Sequence, residues 1–193
     1  MKLAVIVLAA GASKRFGKPN KLMQDFNGKP LVRNVLDLAA SFPFCRHVAV
    51  CGEATEPIAR DAGFVTVLNT EPERGQSLSM KLGVARCSDC DGALFMTGDQ
   101  PFVTPETIRR LITELEAHPD CIIGCSVEGR FCIPSVFPSL VFPELLSQEG
   151  DVGGREVMRA HKDSVRLLPI DPKEHFDIDT PQDLSRAEGL LPK

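Results

Sequence analysis

A chain of 193 residues with 43% hydrophobic and 25% charged side chains has the composition of a globular protein. One domain of this length buries roughly 70% of its unfolded surface. A net charge of −4 argues against a general nucleic-acid binder, which is usually basic, but leaves room for a small anionic substrate held by local cations. No apolar run approaches bilayer length, so no membrane association is expected.

The first element is Lys2 to Leu8, KLAVIVL. This almost unbroken run of strand formers suits a parallel strand covered on both faces, and a strand is expected over 3–8. Its AVIVLAA stretch is too short and too weakly flanked for a signal peptide. The strand runs into small residues, Ala9-Ala10-Gly11-Ala12-Ser13, followed within ten residues by Lys14, Arg15, Lys18 and Lys21. Small side chains let a ligand reach backbone N–H groups, and Gly11 is free to take a positive φ. An apolar strand, a small-residue loop and clustered cations suggest a polyphosphate cradle; a loop of solvated charges is the alternative. Five residues separate Gly11 from Gly17, and Lys18 precedes Pro19, so this is no P-loop. Nor is there a Gly-x-Gly-x-x-Gly turn for a dinucleotide.

Further strands are expected at 46–51, 64–68, 92–97 and 121–127, with weaker ones near 130–137, 164–169 and 175–179. Helices are expected at 30–41, 55–62, 76–86, 105–117, 139–147, 153–160 and 181–188. Thr104 and Thr180 each precede a proline and read as N-caps. This alternation predicts a single three-layer α/β/α domain over residues 1–193, Rossmann-like, around a mostly parallel sheet. In such a sheet ligands gather beyond the carboxyl ends of the strands. Three polar loops fall there: the one after Leu8, Thr97-Gly98-Asp99-Gln100-Pro101, and Asp177-Ile178-Asp179-Thr180. Asp99 at the tip of an apolar strand is placed to bind Mg²⁺, with Asp179 as partner and Asp177 in reserve. Turn capping by Asp99 and helix capping by Asp179 are the structural alternatives. Gly75-Gln76-Ser77 reads as a turn opening a helix, with Ser77 in its first turn.

Seven scattered cysteines suggest reduced thiols and a cytoplasmic location. Cys87-x-x-Cys90 has no second pair at zinc spacing, so a metal or redox site is not expected. Cys45, Cys51, Cys121, Cys125 and Cys132 read as small core residues.

The segment LAAGASKRFG, followed by Lys21, resembles the opening signature of nucleotidyltransferases acting on molybdenum cofactor, Leu-Ala-Ala-Gly-x-Ser-x-Arg-Met-Gly with a later Lys. Phe16 stands for the usual Met. GDQPFVTPETI resembles the second motif, DIDTPQDL the closing motif, and EGDVGGR at 149–155 the Gly-Asp-x-Gly-x-Arg segment of the cytidylyltransferase branch. The four segments occur in order along the chain. One departure is that residues 129–134, GRFCIP, lack the His of the usual Gly-His-Pro turn.

The resemblance implies a Rossmann-like nucleotidyltransferase. It would join CMP from CTP to the terminal phosphate of molybdopterin or molybdenum cofactor, with pyrophosphate leaving. Leu8, Ala9, Ala10, Gly11, Ser13, Gly75 and Ser77 would hold the nucleotide. Arg15 would bind the β- and γ-phosphates, and Lys21 would neutralise charge near the α-phosphate. Asp99 and Asp179 would hold Mg²⁺. Gln100, Asp151, Gly153 and Arg155 would face the acceptor. The dinucleotide product would pass to a molybdenum hydroxylase by transient contact. A sugar- or polyol-phosphate nucleotidyltransferase and a non-catalytic molybdenum-cofactor carrier or insertion chaperone are the alternatives. CTP is expected over GTP, because the guanylyl branch carries Leu-Ala-Gly-Gly where this chain has Leu8-Ala9-Ala10-Gly11. That branch also has Gly-Pro-Leu-Ala-Gly where this chain has Gly75-Gln76-Ser77-Leu78-Ser79.

Overall fold

A computed structural model describes residues 1–11, 16–17, 20–150 and 153–191. The first strand, β1 (Leu3–Ala9), is buried along its whole length. Leu3, Val5, Val7 and Ala9 join the core on one face of the sheet, and Ala4, Ile6 and Leu8 join the core on the other. The period of two explains the apolar run, because a strand covered on both faces has no side to leave polar.

After β1 the chain makes a small hairpin, β2 (Asp25–Phe26) and β3 (Lys29–Pro30), and then helix α1 (Leu31–Ala40). Next come β4 (Arg46–Cys51), α2 (Glu56–Asp61), β5 (Val65–Leu68), α3 (Gln76–Val84) and β6 (Gly92–Thr97). The second half holds α4 (Pro105–Ala117), β7 (Ile122–Val127), β8 (Arg130–Pro138), α5 (Phe142–Ser147), α6 (Arg155–Ala160), β9 (Val165–Pro169) and α7 (Pro181–Glu188). The main sheet has seven strands in the order β5-β4-β1-β6-β8-β7-β9. Only β8 runs antiparallel to its neighbours, β6 and β7. Leu31, Val35, Ile108, Leu111 and Leu115 of α1 and α4 cover one face; Met80, Val84, Phe142, Leu145 and Val157 of α3, α5 and α6 cover the other. The three-layer, mostly parallel architecture expected from the alternation is therefore present.

This order fixes where a ligand can sit. From β1 the chain winds outward to β4 and β5, then returns to place β6 on the opposite side of β1. The connections at the carboxyl ends of β1 and β6 thus diverge and leave a crevice between them. Gly98, just past β6, lies at the crevice floor. Its N–H donates to the Leu8 carbonyl at 3.0 Å, and a Cβ there would lie 3.1 Å from Val32 Cγ2. On the opposite face Gly83 lets α3 settle on β1; a Cβ would fall 2.5 Å from Ile6 Cγ2.

Three expectations need correction. No strand forms at 175–179: Pro172–His175 is a 3₁₀ turn, and the next residues cross the carboxyl end of the sheet rather than joining it. Phe176 and Ile178 mimic strand alternation because both enter the core, and the Ile178 N–H donates to the Asp99 carbonyl at 3.1 Å. The helix expected at 139–147 begins as a 3₁₀ turn over Ser139–Val141, since Pro143 fits only the first turn of an α-helix. Cys45 is exposed, not core; it lies in the loop before β4 with its sulfur 3.5 Å from Cys90 Sγ. Thr104 and Thr180 do cap α4 and α7, and at Thr180 the cap is a reciprocal box with Asp183. Among the described residues no helix is long and apolar enough to cross a membrane.

Candidate active site

A cleft of about 590 Å³ opens at the carboxyl ends of β1 and β6. Leu8, Asp99, Gln100, Asp177 and Asp179 all line it, so two of the polar loops singled out from the sequence, 97–101 and 177–180, converge at the end of β1. Arg155, at the start of α6, also lines the cleft.

At the cleft floor Lys21 ties two of these loops together. Asn20 caps a 3₁₀ turn, Lys21–Met23, by accepting from the Leu22 N–H at 2.9 Å, and the turn presents Lys21. The Lys21 ammonium donates to Asp99 Oδ2 at 2.8 Å and to Asp179 Oδ1 at 2.7 Å. Lys21 is only 8% exposed. Burial alone would lower its pKa, but the charge of Asp99 and the bonds from both acids more than offset this and raise it. Lys21 is a charged ammonium at neutral pH.

Beside this bridge three buried oxygens have no partner among the described residues: Asp99 Oδ1, Gln100 Oε1 and Thr97 Oγ1. Buried acceptors left unsatisfied are costly unless a ligand completes them. A hydrated divalent cation carried on a phosphate chain supplies what such oxygens lack, and Mg²⁺ is usually held by one or two carboxylates plus phosphates. The Asp99–Asp179 pair therefore fits a divalent metal. Asp177 is drawn in differently. Gln100 Nε2 donates to its Oδ1 at 2.8 Å, while burial, then the charge of Asp99, raises its pKa.

One border of the cleft is formed by β1 and α3, through Leu8, Gln76 and Met80. Ala9 and Ala10 are buried, and the Ala9 carbonyl accepts from Thr55 Oγ1 at 2.8 Å. Gly11 is exposed, with open space where a Cβ would be, and it does not adopt a positive φ. The positive φ that a glycine permits is not used at this position. Gly75 does take φ 91° at the N-cap of α3. Ser77 is buried and donates its hydroxyl to the Gly150 carbonyl, and Gln76 rather than Ser77 lines the cleft. Ser77 thus fastens α3 to Gly150, beyond the end of α5. Gly153, at φ 55°, packs against Gln76, whose Oε1 lies 2.6 Å from where a Cβ would stand. Ser13, Arg15 and Asp151 lie outside the described residues. Sequence reasoning missed Phe131, Arg159 and His175, which line the cleft, whereas Gln76, which also lines it, falls in the segment 74–79 expected to meet the base. Arg159 had a readable signal, because it sits one helical turn beyond Arg155.

Known proteins share this fold. The sequence pattern of the MobA-like NTP transferase domain matches residues 5–165. The chain belongs to that family. It is a nucleotidyltransferase domain, related over nearly its full length to the "Probable molybdenum cofactor guanylyltransferase" of Pyrococcus horikoshii. That relative is 31% identical, over 95% of this chain and 98% of its own. "Bifunctional protein GlmU" of Desulfitobacterium hafniense is 32% identical over 111 residues, 56% of this chain. The chain spans about a quarter of the length of such curated relatives, 24% in that case. Among solved structures, Rv0371c from Mycobacterium tuberculosis H37Rv superposes with a TM-score of 0.84 at 30% identity, covering 97% of each chain. A structure of Rv0371c in complex with manganese gives 0.81 at 26% identity, covering 99% and 100%.

Proposed function

We propose that this domain transfers a nucleotidyl group, CMP from CTP, to the terminal phosphate of molybdopterin or molybdenum cofactor. A phosphate oxygen of the acceptor attacks the α-phosphorus, the bond from that phosphorus to the bridging oxygen of the β-phosphate breaks, and pyrophosphate leaves. One observation carries the reading: Lys21, Asp99 and Asp179, from three distant segments, meet within hydrogen-bond distance, and the two acids line the cleft at the end of β1. A carrier protein would have no need of a cation and two acids focused on one point. The relation to a guanylyltransferase for the same cofactor supports the acceptor class.

The protein's task is to bring two anionic reactants together and stabilise charge on the leaving group. No covalent protein nucleophile is needed. Backbone N–H groups around Gly11 and Ser13 hold the phosphates, Arg15 grips the β- and γ-phosphates through its planar fork, and Lys21 meets charge near the α-phosphate. Asp99 and Asp179 would hold Mg²⁺, which when bound would supply positive charge for the triphosphate. Gln100, held by Asp177, and Arg155 line the cleft, and together with Asp151 and Gly153 they would meet the acceptor. Arg155→Ala should raise the KM for the pterin substrate several-fold, roughly 1 kcal/mol of binding, with little change for the nucleotide. Steady-state kinetics with each substrate varied in turn checks this, and an equal rise in both constants would remove Arg155 from the acceptor side.

Base choice is read from Ala10, buried at the end of β1, where the extra methyl relative to the guanylyl branch's Gly would leave less room for a purine. Discrimination by one methyl is worth only about 1–3 kcal/mol, so some GTP use is expected. Equimolar CTP and GTP in competition should give mostly the cytosine dinucleotide by mass spectrometry of the product. A predominantly guanine product would reverse the base assignment and leave nucleotidyl transfer standing.

A further inference from the structure

Lys21 occupies the ground between the two acids that the reaction assigns to a divalent cation. Its ammonium is 2.8 Å from Asp99 Oδ2 and 2.7 Å from Asp179 Oδ1, with all three side chains largely shielded from water. Among the described residues no group of three or more His, Cys, Asp or Glu side chains is arranged to hold a metal. Two carboxylates, partly neutralised by a shared ammonium, make a poor site for a bare hydrated divalent ion. Its attraction is offset by repulsion from the ammonium, and among the described residues too few carboxylates are gathered to replace its waters. Triphosphate oxygens supply both missing parts: further ligands for the cation, and negative charge that gives the ammonium somewhere else to go. A lysine suits such an exchange, because its flexible stem carries a compact charge that can be redirected.

We propose that Lys21 is a displaceable counter-cation. In the free protein it holds Asp99 and Asp179 together and keeps bare divalent cations out. When a cation arrives on a nucleoside triphosphate, Lys21 gives up the carboxylates and turns to the phosphates. The metal is thereby admitted only with its substrate. This inference rests on the nucleotidyl-transfer reading of the cleft and adds an order of entry to it.

The test is Mn²⁺ binding, read by the electron paramagnetic resonance signal of free Mn²⁺, without nucleotide. Lys21→Met keeps the apolar stem and removes the charge, and it should bind Mn²⁺ at least about tenfold more tightly than wild type. The gain should vanish when Asp99→Asn is added. Unchanged or weaker binding in Lys21→Met, or a gain that survives Asp99→Asn, overturns the proposal. A measurement on the wild-type protein stands beside it in case Lys21→Met fails to fold. An α,β-methylene analogue of CTP or GTP should tighten Mn²⁺ uptake by the protein at least about tenfold beyond uptake by the analogue in buffer. Equal Mn²⁺ affinity with and without the analogue contradicts the proposal. Pyrophosphate release by the same wild-type sample separates the two ideas. Release together with tight binding of bare Mn²⁺ refutes the counter-cation alone, whereas Mn²⁺ exclusion without release refutes the transfer reading.

Discussion

Asp99→Asn is expected to cut turnover by roughly two to three orders of magnitude, the scale seen when a focused electrostatic group is removed from a shielded site. The substitution keeps the side chain's shape and one oxygen able to accept from Lys21. It removes the charge that makes Asp99 a metal ligand. The backbone role of this residue survives, because the Asp99 carbonyl still receives the Ile178 N–H. Binding of the pterin substrate should therefore persist while pyrophosphate release collapses. Steady-state rates, with pterin binding measured by its own fluorescence, separate the two. A near-normal rate in Asp99→Asn, or full activity of the wild type in EDTA, would exclude a metal held by this acid.

Lys21→Ala is expected to lower turnover by at least about tenfold, corresponding to roughly 1.4 kcal/mol of transition-state stabilisation. From sequence alone a loop lysine carries little packing, and stability should not change. The structure revises that expectation. Lys21 is buried between two acids, and removing it leaves two like charges facing each other in a site with little water. Breaking a well-buried ion pair costs about 3–5 kcal/mol; partial exposure of both carboxylates brings the expected loss to about 2 kcal/mol. Because the Lys21 pKa is raised in the folded protein, its stabilisation is fully present below the unfolded lysine value and is lost only as pH rises through the raised value, above 10.5. The stability gap between wild type and Lys21→Ala should thus show no contribution from Lys21 titration between pH 7 and 9. Urea unfolding of both proteins across that range measures it. An undiminished stability in Lys21→Ala would mean that the bridge does little for the fold.

The fold was readable because its signals are local and repeated. β1 announces burial on two faces by its composition, and the proline after each of Thr104 and Thr180 marks a helix start that the structure reproduces. The segment 175–179 was misread for a physical reason. Alternating apolar residues signal burial of every second side chain, and Phe176 and Ile178 are so placed without any ladder partner. The site was legible where a residue stands at the end of a strand, as Asp99 does. It was less legible where a role depends on contact between distant segments. Nothing local shows that Ser77 reaches Gly150, 73 residues away, or that Thr55 is spent on the Ala9 carbonyl. The Lys21 bridge likewise spans 78 residues to Asp99 and 158 to Asp179. Its members could be named from the sequence, yet the contact among them could not.

The central claim is nucleotidyl transfer to a phosphorylated pterin. The most direct test is pyrophosphate release from CTP or GTP, measured with molybdopterin or molybdenum cofactor and Mg²⁺ added singly and together. Release is predicted only when nucleotide, metal and acceptor are all present, with one pyrophosphate formed for each dinucleotide found by mass spectrometry. Release that ignores the pterin, or a pterin left unmodified while a sugar phosphate is consumed, would contradict it.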